Sequence, residues 1–137
     1  MSVFQTDDIE KCHNLRRIVF TQEQGVSEAE EIDGLDHQAI HFLAEHDGKP
    51  VGTARILIKG DSAKIGRVCV LKEARGTHQG KALILACIHW ASNEGLKRAV
   101  LGAQVHALGF YEALGFSAFG PIYDDAGIDH RDMELFL

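Results

Sequence analysis

The residues with the clearest chemical potential form the stretch RGTHQGKAL, Arg75 to Leu83, between a strand-like run and a helix-like run. Gly76 and Gly80 permit a close approach of the backbone and unusual dihedral angles. A helix that begins here presents unpaired N–H groups and the positive end of its dipole. Arg75 and Lys81 add positive charge. The stretch therefore indicates a site for an anion such as phosphate, with a simple turn and helix cap as the alternative.

Two common phosphate-binding motifs do not fit this loop. The NTPase pattern GxxxxGK[ST] needs one more residue between Gly76 and Gly80, and Ala82 stands where that pattern has a hydroxyl residue. The dinucleotide pattern GxGxxG is not matched either. The loop composition alone thus leaves the type of anion open.

Other polar residues offer candidate catalytic and binding groups. Arg55 and Arg67 lie on neighbouring strand-like runs. They could bind an acidic group of a substrate, or they could pair with the carboxylates of the acidic segment Thr21–Gln38. Cys69 could be a nucleophile, but a buried strand cysteine is the favoured interpretation. The eight histidines show no metal-ligand spacing, so no metal site is predicted. The candidate general bases are Glu23, Glu31, Asp33, Asp36, His41 and His106.

The composition predicts a single acidic globular domain over residues 1–137. The formal net charge of −6 argues against general nucleic-acid binding. An odd number of cysteines, three, without close spacing argues against a disulfide framework and for a reducing, cytoplasmic location. Neither a transmembrane run nor a signal peptide is predicted, so no membrane partner is expected.

Hydrophobic periodicity and turn signals predict a mixed order of elements. A strand–loop–helix–strand segment forms a crossover, so one parallel pair should interrupt an otherwise antiparallel sheet. The predicted fold class is α+β, or mixed α/β. The predicted helices are Asp7–Phe20, Lys81–Glu94 and Val105–Leu114, and the predicted strands are Ala39–Glu45, Val51–Ile58, Ala63–Leu71, Arg98–Leu101, Phe116–Phe119 and Arg131–Leu137.

Three stretches resemble the GNAT superfamily of N-acetyltransferases. VCVLKEARGTHQGKAL resembles its motif A, in which [RQ]xxGx[GA]xxL is matched by Arg75, Gly80 and Leu83, while His78 stands at the middle glycine. VHALGFYEALGF resembles the motif B helix with FYxxxGF. RRIVFTQEQGVSEAEEIDGLDH resembles the N-terminal segment of the small bacterial ElaA- and YjcF-like acetyltransferases.

This resemblance implies the GNAT fold and acetyl-CoA as acyl donor. It implies that Tyr111 is the general acid and that Glu23 is the best candidate for the base. The backbone near Val70 should pair with the pantetheine arm, and its N–H should polarise the thioester carbonyl. The implied cofactor-binding residues are Val68, Cys69, Val70, Arg75, Gly76, Thr77, His78, Gln79, Gly80, Lys81 and Phe110.

The acceptor is expected to be a small-molecule amine, with His41, Arg55 and Arg67 as candidate substrate-binding residues, and a homodimer is possible. Two alternatives stay open at this point. A non-catalytic acyl-CoA-binding module is favoured by His78 at the glycine position. A relative of acyl-homoserine-lactone synthases is suggested by Arg16 or Arg17 together with Phe20 and Arg55.

Overall fold

A seven-stranded mixed sheet with the strand order β1-β2-β3-β4-β5-β7-β6 organises the protein. The structure is a computed structural model and describes residues 2–137. The strands are β1 Ser2–Thr6, β2 Ile40–His46, β3 Lys49–Lys59, β4 Ser62–Val70, β5 Arg98–Gln104, β6 Ser117–Asp125 and β7 Ile128–Phe136. The α-helices are α1 Ile9–Arg16, α2 Glu28–Glu31, α3 Gln79–Asn93 and α4 Leu108–Glu112.

The N-terminal region differs from the sequence prediction in two ways. Strand β1 was not predicted; it pairs antiparallel with β2, and such long-range pairing leaves no local signal. The predicted helix Asp7–Phe20 is α-helical only in α1, which Asp8 caps through its bond from Lys11 N at 3.3 Å. The chain then continues as a π-helical segment, Arg17–Glu23.

The remaining elements follow the predicted order with shifted bounds. The acidic segment Thr21–Gln38 contains α2 and a 3₁₀ turn, Asp36–Gln38. The predicted helix Val105–Leu114 is a 3₁₀ turn, Val105–Ala107, followed by α4. The last two strands are longer than predicted because they form one hairpin. Within residues 2–137, no helix is long and apolar enough to cross a membrane.

Helix α3 packs on one face of the sheet and forms the main core with it. Its apolar positions Leu83, Ile84 and Cys87 are fully buried. Strand β5 alternates, so that Ala99 and Leu101 point into this core while the residues between them are only partly buried or exposed. The other face of β5 is therefore available to line a cleft.

Strands β4 and β5 form the predicted parallel pair, but only at one end. They pair at Ser62–Arg98, Ala63–Ala99 and Lys64–Val100. β4 then continues to Val70 and β5 to Gln104 without further pairing between them. We call this opening the β4–β5 split. Backbone groups on its two edges are free to bond to a ligand.

A buried ion cluster fixes the acidic segment against the other side of the sheet. Arg16, only 1% exposed, donates to Glu31 and, at 2.7 Å, to Asp36 Oδ1. Arg55 of β3 donates to Asp33 Oδ1 at 2.9 Å and to Asp36 Oδ1 at 3.0 Å. The cluster thus joins α1, the acidic segment and β3.

The charges of this cluster perturb one another strongly. The hydrogen bond from Arg55 lowers the pKa of Asp33 well below its ordinary value. Burial raises the pKa of Asp36, but the hydrogen bonds from Arg16, His13 and Arg55 outweigh it and lower that pKa as well. Both aspartates therefore stay ionised at neutral pH, so that Arg16 and Arg55 each contact a fully charged carboxylate.

Arg16→Met should strongly destabilise the fold, because it leaves buried carboxylates without their partner. We expect a loss of about 3–5 kcal/mol in the free energy of unfolding, measured by urea denaturation. The control is Arg17→Met, since Arg17 pairs with Glu28 at 3.4 Å with both side chains more than half exposed. The control should cost less than about 1 kcal/mol. Equal losses in both variants would contradict a stabilising role for the cluster.

Candidate active site

A cleft with a volume of about 920 Å³ runs along the β4–β5 split. It is lined by the π-helical segment with Glu23, strand β4 with Val68 and Val70, and α4 with Tyr111, and also by β3, β5, the acidic segment and the β6–β7 hairpin. The cleft thus brings together residues that are more than eighty positions apart in sequence, as in Glu23 and Tyr111. Its size suits a small-molecule site.

A second cavity, of about 440 Å³, lies against the glycine loop. Val70 and Arg75 line both cavities and therefore separate them. Thr77, a predicted cofactor-binding residue, does not line this cavity. Its hydroxyl donates to Ala74 O within the turn. The other predicted loop residues meet here, together with Phe110: Gly76, His78, Gln79, Gly80 and Lys81.

The start of α3 supplies unpaired backbone donors to this second cavity. His78 is the N-cap residue and gives no side-chain cap, and the N–H of Ala82 donates to His78 O at 3.0 Å. The preceding N–H groups of the first turn have no intrahelical partner. A Cβ on Gly80 would point toward Phe110 Cζ and Val70 Cγ2, at 3.7 and 3.8 Å. Both are ordinary contact distances, so a small side chain would fit there but would occupy part of the cavity beside these donors.

Two further features of the loop bear on an anion site. Gln79 is 3% exposed, and its Oε1, which is an acceptor and offers no bond to an anion, is buried without a hydrogen-bond partner among the described residues. His78 has φ of 64°, so the left-handed conformation expected for the usual glycine is present with a histidine. The free N–H groups, the glycine and the basic Lys81 together fit the pyrophosphate of coenzyme A.

The edge of β4 presents backbone groups to the split. Leu71 N–H donates to Val51 O of β3 at 2.8 Å. Because successive N–H groups of a strand point to opposite sides, the N–H and C=O of Val70 point into the split. Val70 O accepts from Arg75 Nε at 3.1 Å. The N–H of Val70 is thus placed to donate to a ligand in the split.

Arg75 and Glu23 form a bidentate ion pair beside this edge. The two terminal nitrogens of Arg75 donate to the two carboxylate oxygens of Glu23, each at 2.6 Å. The hydrogen bonds from Arg75 lower the pKa of Glu23. The predicted base and the predicted pyrophosphate residue are therefore partners in this structure, and the pair makes Glu23 a weaker base than an ordinary glutamate.

Tyr111 lies half-buried between two aromatic rings at the wall of the cleft. Its ring meets Phe110 and Phe116 edge to face, with centroid distances of 5.0 and 5.9 Å. Burial, with a smaller contribution from Cys87, raises the pKa of Tyr111 to about 12. Its hydroxyl therefore stays protonated at neutral pH and can act as a hydrogen-bond donor.

Residues 12–137 match the family model of the acetyltransferase (GNAT) domain. The chain belongs to the GNAT acetyltransferase family. The Bacillus subtilis uncharacterized N-acetyltransferase YjcF is 33% identical over 128 residues, which cover 93% of this chain and 91% of that protein. This match confirms the YjcF-like resemblance of the N-terminal segment.

Solved structures confirm the GNAT fold. A putative N-acetyltransferase from Lactobacillus plantarum superposes with a TM-score of 0.91 at 26% identity, covering 99% of this chain and 97% of the other. Escherichia coli ElaA superposes with a TM-score of 0.85 at 28% identity, covering 97% of each chain. The predicted mixed sheet with one parallel pair is therefore confirmed, and it is the fold that these proteins share with this chain.

The three residues predicted to bind the acceptor substrate differ in their exposure to the cleft. Arg55 is buried, and its terminal nitrogens are bound by Asp33 and Asp36. Arg67 lines the cleft with its side chain 25% exposed, and it donates to Glu31 O at 3.0 Å. His41 is buried, does not line the cleft, and bonds to Asp36 O at 2.8 Å.

The other sequence candidates fall into the ion cluster, the cleft wall or the core. Glu31, Asp33 and Asp36 bind arginines of the cluster. His106 is exposed on the cleft wall, and its Nε2 bonds to Gln104 Oε1 at 2.7 Å. Burial raises the pKa of the Cys69 thiol to about 12, which makes it a poor nucleophile.

Sequence analysis missed the β6–β7 hairpin as a wall of the cleft. Tyr123 donates its hydroxyl to Asp132 Oδ1 at 2.7 Å and stacks on His130. A Cβ on Gly102 would collide with the Tyr123 hydroxyl, so a larger residue there would displace the Tyr123 side chain. An isolated glycine in a strand run was the available signal for such a close approach.

Among residues 2–137, no three His, Cys, Asp or Glu side chains lie close enough together to hold a metal ion. Two carboxylates of the cleft wall, Glu23 and Asp33, bind arginines.

His78→Gly should relax the loop, because glycine adopts a positive φ without the cost that a Cβ brings. We expect a gain of about 0.5–1 kcal/mol in the free energy of unfolding and tighter binding of coenzyme A in calorimetry. Asp47→Gly is the matched control: Asp47 also has a positive φ, 51°, but lies in the β2–β3 turn. The control should leave coenzyme A affinity unchanged. Weaker binding by His78→Gly would contradict a steric cost at this position.

Proposed function

We propose that the protein is an acetyl-CoA-dependent N-acetyltransferase that moves an acetyl group directly to the primary amine of a small molecule or peptide. Family membership supports acetyl transfer. The observation that carries the proposal is the β4–β5 split, which opens next to the unpaired N–H groups of α3. The transfer would be direct and not pass through an acyl-Cys69 intermediate, because the buried Cys69 thiol is a poor nucleophile.

The loop would hold the pyrophosphate of the donor. The first N–H groups of α3 supply backbone donors, and Lys81 and Arg75 supply charge. Phe110 and Val70 supply the apolar wall of the same cavity. The free edge of β4 would pair with the pantetheine arm as an added strand.

The chemistry requires a polarised carbonyl and a protonated leaving group. Acetyl-CoA supplies the acetyl group as a thioester. The Val70 N–H would donate to the carbonyl oxygen, where negative charge develops during attack. The Tyr111 hydroxyl would donate to the sulfur as the new N–C bond forms and the C–S bond breaks. The Tyr111 hydroxyl stays protonated and can therefore hydrogen-bond to the leaving sulfur, while its raised pKa makes it a weaker acid than a free phenol.

The amine proton has two candidate acceptors on the cleft wall. Glu23 is the sequence candidate, but both of its oxygens bind Arg75. His106 uses one ring nitrogen toward Gln104, and its second ring nitrogen has no partner among the described residues. The geometry therefore favours His106 over Glu23 as the base.

The acceptor side of the cleft carries charges that are largely neutralised within the protein. Asp33 and Glu31 bind the arginines of the ion cluster, so they offer little net charge to a cationic acceptor. Arg67, which is partly exposed, would be the residue that contacts an anionic group of the acceptor. Arg55 and His41 would act by supporting the acidic segment. Homodimer formation stays a prediction.

A reducing, cytoplasmic location is part of the same proposal. Cys12, Cys69 and Cys87 are all free and buried. A chain that keeps three unpaired thiols fits a reducing compartment, where disulfides do not accumulate.

Calorimetric titration with acetyl-CoA tests donor binding directly. We expect the wild type to bind with a dissociation constant in the micromolar range, as is typical of enzymes and their substrates. Arg75→Ala should weaken binding about tenfold or more, because it removes a charge beside the loop. Arg17→Ala is the control, since Arg17 lies outside both cavities. A wild type that does not bind would mean that His78 closes the loop to the donor.

Tyr111→Phe tests the general acid. We expect a loss of about 10²-fold in turnover, measured as thiol release with an amine acceptor, and little change in acetyl-CoA affinity. The affinity should hold because the ring and its contacts to Phe110 and Phe116 remain. Unchanged turnover across the pH range would rule out Tyr111 as the acid.

The same assay separates the proposal from a non-catalytic acyl-CoA-binding module. The strained His78 is the observation that favours the alternative. Both functions predict binding of acetyl-CoA, but only the acetyltransferase releases thiol when amines are supplied.

A further inference from the structure

Two consecutive side chains at the end of the π-helical segment reach opposite sides of the β4–β5 split. Glu23 binds Arg75, which follows β4, through both carboxylate oxygens at 2.6 Å. Gln24 accepts at its Oε1 from Gln104 Nε2 at 3.1 Å, and Gln104 is the last residue of β5. The contacts lie at the open end of the split, where β4 and β5 share no backbone hydrogen bond.

We propose that Glu23 and Gln24 are positioning residues that strap the two sides of the β4–β5 split together, Glu23 through Arg75 and Gln24 through Gln104. The inference rests on the proposed function, because it takes the split to be the place where the acyl donor binds. It assigns Glu23 a role other than that of the predicted base.

On the β4 side, the strap fixes the plane of one guanidinium. Arg75 donates from Nε to Val70 O at 3.1 Å and from each terminal nitrogen to Glu23. A guanidinium carries five N–H donors, so two remain for an anion at the loop. A bidentate pair of this kind adds geometric specificity as well as energy. Glu23 therefore orients Arg75 against the Val70 edge without using all of its donors.

On the β5 side, the strap fixes an amide. Gln104 donates from Nε2 to Gln24 and accepts at Oε1 from His106 Nε2 at 2.7 Å. With this amide orientation, His106 carries its proton on Nε2 and leaves Nδ1 as an acceptor. Gln24 therefore sets, through Gln104, the position of a ring at the start of the segment that leads to Tyr111.

The strap connects β4 and β5 at the end of the split where no backbone hydrogen bonds join them. Three residue pairs hold β4 and β5 together, and they all lie at the closed end. Strand edges without shared hydrogen bonds can vary in separation. A cleft held at its binding width avoids the ordering cost of ligand binding, which is the general benefit of preorganisation.

The first test measures motion of the split without any ligand. Hydrogen exchange followed by mass spectrometry should show faster exchange at Arg67–Val70 and at Gly102–Gln104 in Glu23→Ala and in Gln24→Ala. We expect an increase of about three- to tenfold, the factor that corresponds to one lost hydrogen bond. Gln24→Glu keeps the accepting oxygen and should exchange like the wild type. Glu28→Gln is the control, because Glu28 pairs with Arg17 in the same region, away from the split.

The second test measures coenzyme A affinity by calorimetry in the same variants. Gln24→Ala should bind about three- to tenfold more weakly, whereas Gln24→Glu and Glu28→Gln should bind like the wild type. Hydrogen exchange at the wild-type rate in both Glu23→Ala and Gln24→Ala would contradict the proposal that these residues hold the two strands together. Faster exchange with unchanged affinity would overturn the positioning role of the strap. A wild type that fails to bind coenzyme A would instead overturn the proposed function, and exchange would still decide whether the strap exists.

Discussion

The parallel pairing of β4 and β5 ends after Lys64 and Val100, and most of the site depends on that short register. If the two strands stayed paired, the N–H of Val70 would donate to a carbonyl of β5 and could not donate to a ligand. Because they separate, the glycine loop and the start of α3 stand beside a free strand edge. One backbone feature therefore creates both the backbone donors of the split and the space between the strands.

The acidic segment forms the opposite wall of the cleft, and charge rather than apolar packing holds it in place. Glu31 and Asp36 bind the almost fully buried Arg16, while Asp33 and Asp36 bind Arg55. Such buried pairs are not a strong source of stability in themselves, but breaking one leaves an uncompensated charge. The cluster therefore holds the acidic segment in one position. The end of the π-helical segment, which leads into it, then places Glu23 and Gln24 beside the split.

Sequence reasoning succeeded where the signal is local and failed where it is long-range. The glycine loop, α3 and the crossover follow from turn residues and hydrophobic periodicity, and the mixed sheet follows from their order. Strand β1 has no local signal, because it exists through pairing with β2. The bond between Glu23 and Arg75 joins residues 52 positions apart, so no spacing rule could have found it. The resemblance located both residues in the site but could not show that they bind each other.

Two of the four non-glycine residues with a positive φ among residues 2–137 lie beside the proposed site, and the other two, Asp47 and Ala126, lie in hairpin turns. Arg67 has φ of 50° at a bulge in β4, where one residue of β3 faces two of β4, and His78 has φ of 64° at the start of α3. Neither residue is glycine, so both conformations cost energy that the surroundings must offset. For Arg67 the compensation is visible in its bonds to Glu31 O from Nε and Nη2, at 3.2 and 3.0 Å. The bulge lies within the part of β4 that is not paired with β5, beyond the last paired residue Lys64, so Arg67 links the ion cluster to the free edge of β4.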